Sequence, residues 1–190
     1  MSSACSTQKR LSPGAFRWPP DAGTMALPSR PAFEIRPASE ADVPLILRFI
    51  RELAEYEHLL ATVTATEESL RACLFGATPA AEVVIGYAGG EPAGFALFFQ
   101  SFSTFLGRPG LYLEDLFVLP EWRGRGLGRR LLAHLARIAV ERDYGRMEWS
   151  VLDWNEPALA VYRRVGATAM SEWTVQRLTG DALRTLASEA

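Results

Sequence analysis

The chain has almost no lysine: of its 20 basic residues, 19 are arginine and only Lys9 is not. A nucleotide-binding P-loop needs its lysine after a glycine-rich turn, and Lys9 lies far from any such turn, so that class is excluded. Cysteine is nearly as scarce. Cys5 and Cys73 form neither a disulfide framework nor a metal-ligand spacing, and this usage suits a reducing compartment. No stretch approaches the eighteen or so apolar residues of a membrane span, and the start lacks the apolar core of a secretion signal. These absences predict a cytoplasmic protein with no membrane partner and no metal. Nor is there an excess of positive charge. The net charge of −2 gives no global attraction to nucleic acid, so a polyanion contact would have to be local.

What is present suits a globular domain: 190 residues, 48% hydrophobic and 22% charged. Residues 1–32 are rich in Ser, Pro, Arg and Gly without apolar periodicity, which predicts a disordered or loosely packed N-terminal extension, with Met25 as an alternative start. Residues 33–190 are then expected to be a single domain. Phe33 to Pro37 reads as a strand. Ser39 and Asp42 cap a helix with Val43, Ile46, Leu47, Ile50 and Leu53 on one face. Thr66-Glu67-Glu68 opens a second helix, which Gly76 closes. Two β-rich runs, Glu82 to Ala88 and Ala93 to Phe102, flank Gly89-Gly90-Glu91-Pro92 as a hairpin. Leu111 to Leu119 is another apolar run, and Leu127 to Arg142 has Leu131, Leu132, Leu135, Ile138 and Ala139 at helical spacing. A strand from Arg146 to Asp153, a helix from Asn155 to Val165, an extended stretch from Ala167 to Thr179 and a helical tail from Asp181 complete the reading.

The densest arginine-glycine run, EWRGRGLGRR, falls between the apolar run and the helix that follows it. A strand feeding a glycine-rich turn into a helix start makes a phosphate site, because unpaired backbone N–H groups and the helix dipole point at the ligand. The dinucleotide fingerprint fails on spacing, since Arg129 stands where the third glycine belongs and Gly128 is one residue early. A disordered RNA-binding segment also fails, because Leu127, Leu131, Leu132 and Leu135 tie the run to a core helix. A loop for the pyrophosphate of another cofactor remains, against a plain helix start with solubilising arginines.

Arg123-Gly124-Arg125-Gly126-Leu127-Gly128 resembles the acyl-CoA pyrophosphate loop of the GNAT superfamily of N-acetyltransferases. Asn155, Ala158, Tyr162 and Gly166 match that superfamily's second signature, and Asn155 and Tyr162 are two helical turns apart on one face. RPASEADVPLILRFIRELAEYE, LYLEDLFV and the WNEP of DWNEP are similar to the diamine branch, which acetylates spermidine, spermine and thialysine. The resemblance implies an α/β fold: a mixed, mostly antiparallel central sheet, splayed into a V between the fourth and fifth strands and flanked by helices. It implies acetyl-CoA as cosubstrate, touched by Leu116, Phe117, Val118, Arg123, Gly124, Arg125, Gly126, Leu127, Gly128, Arg129, Asn155, Glu156, Pro157, Ala158 and Tyr162. It also implies a homodimer, with a small cationic amine as acceptor, bound by Tyr56, Glu57, Glu114, Glu148, Trp149 and Ser150.

The chemistry constrains the roles. An alkyl amine with a pKa near 10 is about one part in a thousand neutral at pH 7, so amine attack on a thioester needs a base. Glu114 matches the family carboxylate at the amine. Successive strand side chains face opposite ways, so Glu114 and Asp115 cannot share a cleft unless a bulge intervenes, and of the two Glu114 is preferred. The departing thiolate gains from a proton donor, and Tyr162 matches the family's general acid, against the reading of a core tyrosine on an amphipathic helix. Cys73 lies outside both signatures, which favours direct transfer within a ternary complex over an acetyl-enzyme. Glu57 and Glu114, with Glu172 as a candidate third acid, point to a cationic acceptor (diamine, polyamine or thialysine-like), and because SEWTVQRL keeps Glu172 alone where polyamine acetylators of the branch have two adjacent acids before a Trp, the resemblance implies a short acceptor. Two alternatives stay open: transfer to another amine, such as a protein N-terminus, aminoglycoside or amino acid, and a non-catalytic acyl-CoA sensor.

Overall fold

The computed structural model describes residues 32–190, so the expectation of an irregular extension over residues 1–32 falls, but for Ala32, outside the described residues. Five strands form one sheet in chain order, antiparallel except for the last pair. Strand β1 (Phe33–Pro37) pairs with β2 (Glu82–Ala88), and β2 pairs with β3 (Glu91–Ser103). The turn between β2 and β3 is only Gly89-Gly90, shorter than the four residues expected. Both glycines have positive φ (61° and 94°), the conformation that a two-residue hairpin with the sheet's twist requires.

Between β1 and β2 lie two helices on one face of the sheet. In α1 (Val43–Tyr56) Val43, Ile46 and Leu47 are buried as the sequence predicted, but Phe49 and Ala54 complete the buried set while Ile50 and Leu53 are only partly buried at its margin. Phe49 stacks on Phe95 with ring centroids 5.4 Å apart, which anchors the helix to β3. Helix α2 (Glu67–Phe75) opens on a capping box between Thr66 and Ser69 and adds Leu74 to the same core. The opposite face is covered by α3 (Leu127–Glu141), whose Leu127, Leu131, Leu132, Leu135 and Ala139 are buried against Phe98, Leu111 and Leu113.

Strand β4 (Arg108–Val118) begins three residues before the apolar run suggested, because Arg108, Pro109 and Gly110 pair with Ser103, Phe102 and Ser101. Its other edge pairs in parallel with β5 (Met147–Trp149), but only from Leu111 to Leu113. β5 thus has three residues where eight were expected, since beyond Leu113 the two strands part and Ser150 onward has no ladder to join. Helix α4 (Glu156–Arg164) packs Val161 and Tyr162 onto the α3 side of the core. The stretch from Ala167 to Thr179 forms no strand and lies largely exposed before α5 (Gly180–Ala187). No helix among the described residues is long and apolar enough to cross a membrane.

Candidate active site

The cleft opens where β4 leaves β5. From Asp115 to Val118, β4 remains paired with β3, but beyond Leu113 its other edge has no strand partner among the described residues, so that edge presents backbone groups outside any ladder. At the same point the β3–β4 register slips: Leu97 faces Asp115, whereas the next residue of β3, Phe98, faces Leu113. Glu114 is therefore the extra residue of a β-bulge. The slip shows in the packing, because Leu111 and Leu113 join the α3-side core before it and Leu116 and Val118 do so after it.

This bulge satisfies the condition under which both acids reach one cleft. Glu114 is exposed and Asp115 half-buried. Burial, then the charges of Glu114 and Glu57, push the Asp115 carboxyl up to about 6. Glu57, which follows the last turn of α1, is itself shifted upward by burial. Asp115 thus lies within the fields of two further carboxylates. No cluster of three or more His, Cys, Asp and Glu side chains suited to a metal occurs among the described residues.

Tyr162 stands across the opening on α4, its ring 5.0 Å from that of Trp149. Burial, then the charge of Glu57, raises its phenol above the usual value, so it stays protonated at neutral pH. Asn155 caps α4: its side-chain oxygen accepts from the Ala158 N–H at 3.3 Å, while Pro157 sits in the first turn. The same oxygen accepts a hydrogen bond from the Tyr56 hydroxyl at 3.1 Å. Glu156 points elsewhere, paired with Arg163.

The glycine loop takes the form expected of an anion site. Gly124 and Gly126 have φ of 71° and 98°, and nothing lies within 4 Å of where a side chain would project from either. Gly126 caps α3 with no side-chain hydrogen bond, leaving the first-turn N–H groups of Leu127, Gly128 and Arg129 for a ligand. The arginines divide. Arg129 lines a groove of about 450 Å³ between α3, β5 and the end of α4, floored by Leu132, Met147 and Trp149 and faced by Arg164. Arg125 lies over the Trp122 ring. Arg123 instead turns into the cleft mouth, its guanidinium 4.6 Å from the Tyr56 ring centre and its Nε donating to the Val118 carbonyl at 2.9 Å.

Not every expected acceptor residue meets the acids. Glu148 is paired with Arg146 at 2.6 Å, and Ser150 is hydrogen-bonded to Tyr112 at 2.9 Å. Trp149 faces the α3 side with Tyr162. Glu172 is exposed in the strandless segment. Two residues escaped the sequence reading: Trp154, whose ring lies 5.7 Å from that of Tyr56, and Arg164 on the groove. Trp154 was visible as the neighbour of Asn155 in the DWNEP motif, whereas nothing in the local sequence marks Arg164.

Residues 47–167 match the model of the acetyltransferase (GNAT) family. A thialysine N-epsilon-acetyltransferase of Bos taurus is 41% identical over 166 residues, covering 82% of this chain and 97% of that protein. L-ornithine N5-acetyltransferase NATA1 of Arabidopsis thaliana is 32% identical over 197 residues, covering 80% and 86%. Among solved structures, an integron cassette protein from the mobile metagenome of V. cholerae superposes with a TM-score of 0.68 at 28% identity, over 82% of this chain and 97% of that one.

Proposed function

The chain belongs to the GNAT acetyltransferase family, and we propose that this N-acetyltransferase passes acetyl from acetyl-CoA to the primary amine of a small cationic acceptor of the thialysine or ornithine type. The observation that carries the acceptor class is the gathering of Glu57, Glu114 and Asp115 at the bulge. Asp115 is repelled by the charges of both other acids, and a cation placed among them offsets that repulsion, so the site favours an ammonium over a neutral amine.

The chain's own groups fit the cosubstrate. On the free edge of β4 the outward-facing backbone groups of Leu116 and the Val118 N–H are open to a pantetheine arm, whereas those of Phe117 face β3, and the uncapped α3 start offers N–H groups to a pyrophosphate. Acetyl-CoA supplies the thioester. Glu114 meets the ammonium from the exposed side and passes its proton to water, while Asp115, ionised above about pH 6, holds the second charge beneath it. Attack by the neutral amine within a ternary complex forms the N–C bond and breaks the C–S bond, and the second proton shed by the nitrogen as it becomes the amide also passes through Glu114 to water. Tyr162 then gives its proton to the departing thiolate and regains one from solvent. Arg164, facing Arg129 across an apolar groove, adds a second cation for the phosphates.

The exposed free Cys73 suits a reducing cytoplasmic setting, and we infer a homodimer as the working form. The test is kcat/KM across thialysine, ornithine, putrescine, spermidine and a neutral amine. We expect short dicationic acceptors to lead. Spermidine ahead by more than tenfold defeats the short-acceptor reading, a neutral amine ahead defeats the acidic-site argument, and no turnover with any amine defeats the enzyme reading.

A further inference from the structure

The two arms of the cleft are joined by a long-range side-chain hydrogen bond and by aromatic contacts beside it. Tyr56 ends α1, immediately before the acidic Glu57, and its hydroxyl reaches Asn155, 99 residues away and at the start of α4. Asn155 is committed on its oxygen side: that atom accepts from Tyr56 at 3.1 Å and from the Ala158 N–H at 3.3 Å, which uses both its lone pairs. Because the Ala158 amide can only donate, the oxygen must face it, and Tyr56 must be the donor. The two N–H bonds of the carboxamide are thereby left for another partner. The phenol ring also meets the Trp154 ring at 5.7 Å and the Arg123 guanidinium at 4.6 Å. His58, in a left-handed conformation with φ of 61°, closes the α1 end against Trp154 at 6.1 Å. Arg123, through Nε, is in turn fixed to the Val118 carbonyl on the free edge of β4.

We propose that Tyr56 is a positioning residue that acts through Asn155, rather than a contact for the amine. Its hydroxyl orients the carboxamide and its ring locks the turn before α4, so that the Asn155 N–H groups face the cosubstrate and Tyr162 is held two turns further along the same helix. Resting on the acetyltransferase reading above, this assigns Tyr56 to the acetyl-CoA side of the site although it stands on the acceptor side. One lost neutral hydrogen bond corresponds to roughly a three- to tenfold change in an equilibrium.

The test uses the full chain and the variants Tyr56→Phe, Asn155→Ala and their double. Amide hydrogen exchange on the ligand-free proteins reads the positioning itself. Tyr56→Phe should speed exchange of the Ala158 amide about three- to tenfold and leave the α3 amides unchanged. Steady-state kinetics should show a similar rise in the apparent KM for acetyl-CoA, with the acceptor KM within twofold, and no further rise when Tyr56→Phe is added to Asn155→Ala. Unchanged Ala158 exchange overturns the proposal, as does an acceptor KM that rises while that of acetyl-CoA stays fixed, or additivity in the double variant. The exchange result stands even if no amine is turned over, so failure of the acetyltransferase reading is told apart from failure of this one.

Discussion

Asp115 is a carboxylate kept where it is costly to ionise. Its folded pKa of about 6 lies above the ordinary 3.8, so the folded state binds the extra proton between those values. The stability this gives is complete below about pH 4 and is lost as pH rises through about 6, at most about 3 kcal/mol. Asp115→Asn should therefore unfold at a higher temperature than the wild type at pH 7.5 and at nearly the same temperature at pH 4; equal differences at both pH values would show that the acid is not strained. The same substitution should remove the limb near pH 6 from the pH profile of kcat/KM. Glu114→Gln should lower turnover with partial recovery at high pH, where more amine is already neutral, whereas a defect independent of pH would recast Glu114 as a substrate-orienting group. Tyr162→Phe should lower kcat roughly a hundredfold or more while hardly changing the acetyl-CoA requirement, and undiminished turnover would remove it as the acid.

The elements that place these groups were unequally legible. Helices α1, α3 and α4 follow from apolar spacing and from caps within a few residues, so Tyr56, the glycine loop, Asn155 and Tyr162 were located in advance. The bulge at Glu114 was not, because it is a register shift against β3, and register belongs to a pair of strands. For the same reason the length of β5 escaped notice: Ser150 to Asp153 contains strand-forming residues but has no partner once β4 diverges. The contact between Tyr56 and Asn155 depends on both arms being folded. Where the sequence does speak for an element, it can be tested. With φ of 98°, Gly126 is in a conformation that a β-carbon strains, although no neighbouring atom would be struck. Gly126→Ala should lower stability by about 1 kcal/mol and, on the proposed pyrophosphate reading of this loop, weaken acetyl-CoA more than that strain explains, because the added methyl group would block close approach to the backbone. Thermal shifts with and without acetyl-CoA separate the two effects; a variant stabilised by acetyl-CoA as much as the wild type would move the pyrophosphate away from this loop.

At the scale of the whole molecule, the C-terminal stretch carries a heavy load of exposed apolar side chains. After α4 the chain presents Met170, Trp173, Val175, Leu178, Leu183 and Leu186 to solvent, with Trp173 71% and Val175 74% exposed. Soluble monomers rarely leave so many large apolar groups on one short segment, and contiguous patches of this kind mark association surfaces. The sheet offers a matching vacancy, since β5 pairs only with β4 and its other edge has no partner among the described residues. An unpaired edge beside an extended apolar segment lacking strand partners is the arrangement in which two copies satisfy each other's backbone and bury each other's apolar side chains. A net charge of only −2 puts little repulsion in the way. The homodimer proposed above is therefore expected to depend on the segment from Ala167 to Thr179. Light scattering after size exclusion should give twice the chain mass of 21.0 kDa for the wild type. Trp173→Glu combined with Val175→Glu should return it to a single chain mass without loss of helical circular dichroism, because neither residue is in the buried core. A wild type that runs as one chain refutes the dimer; a double variant that stays paired places the interface elsewhere.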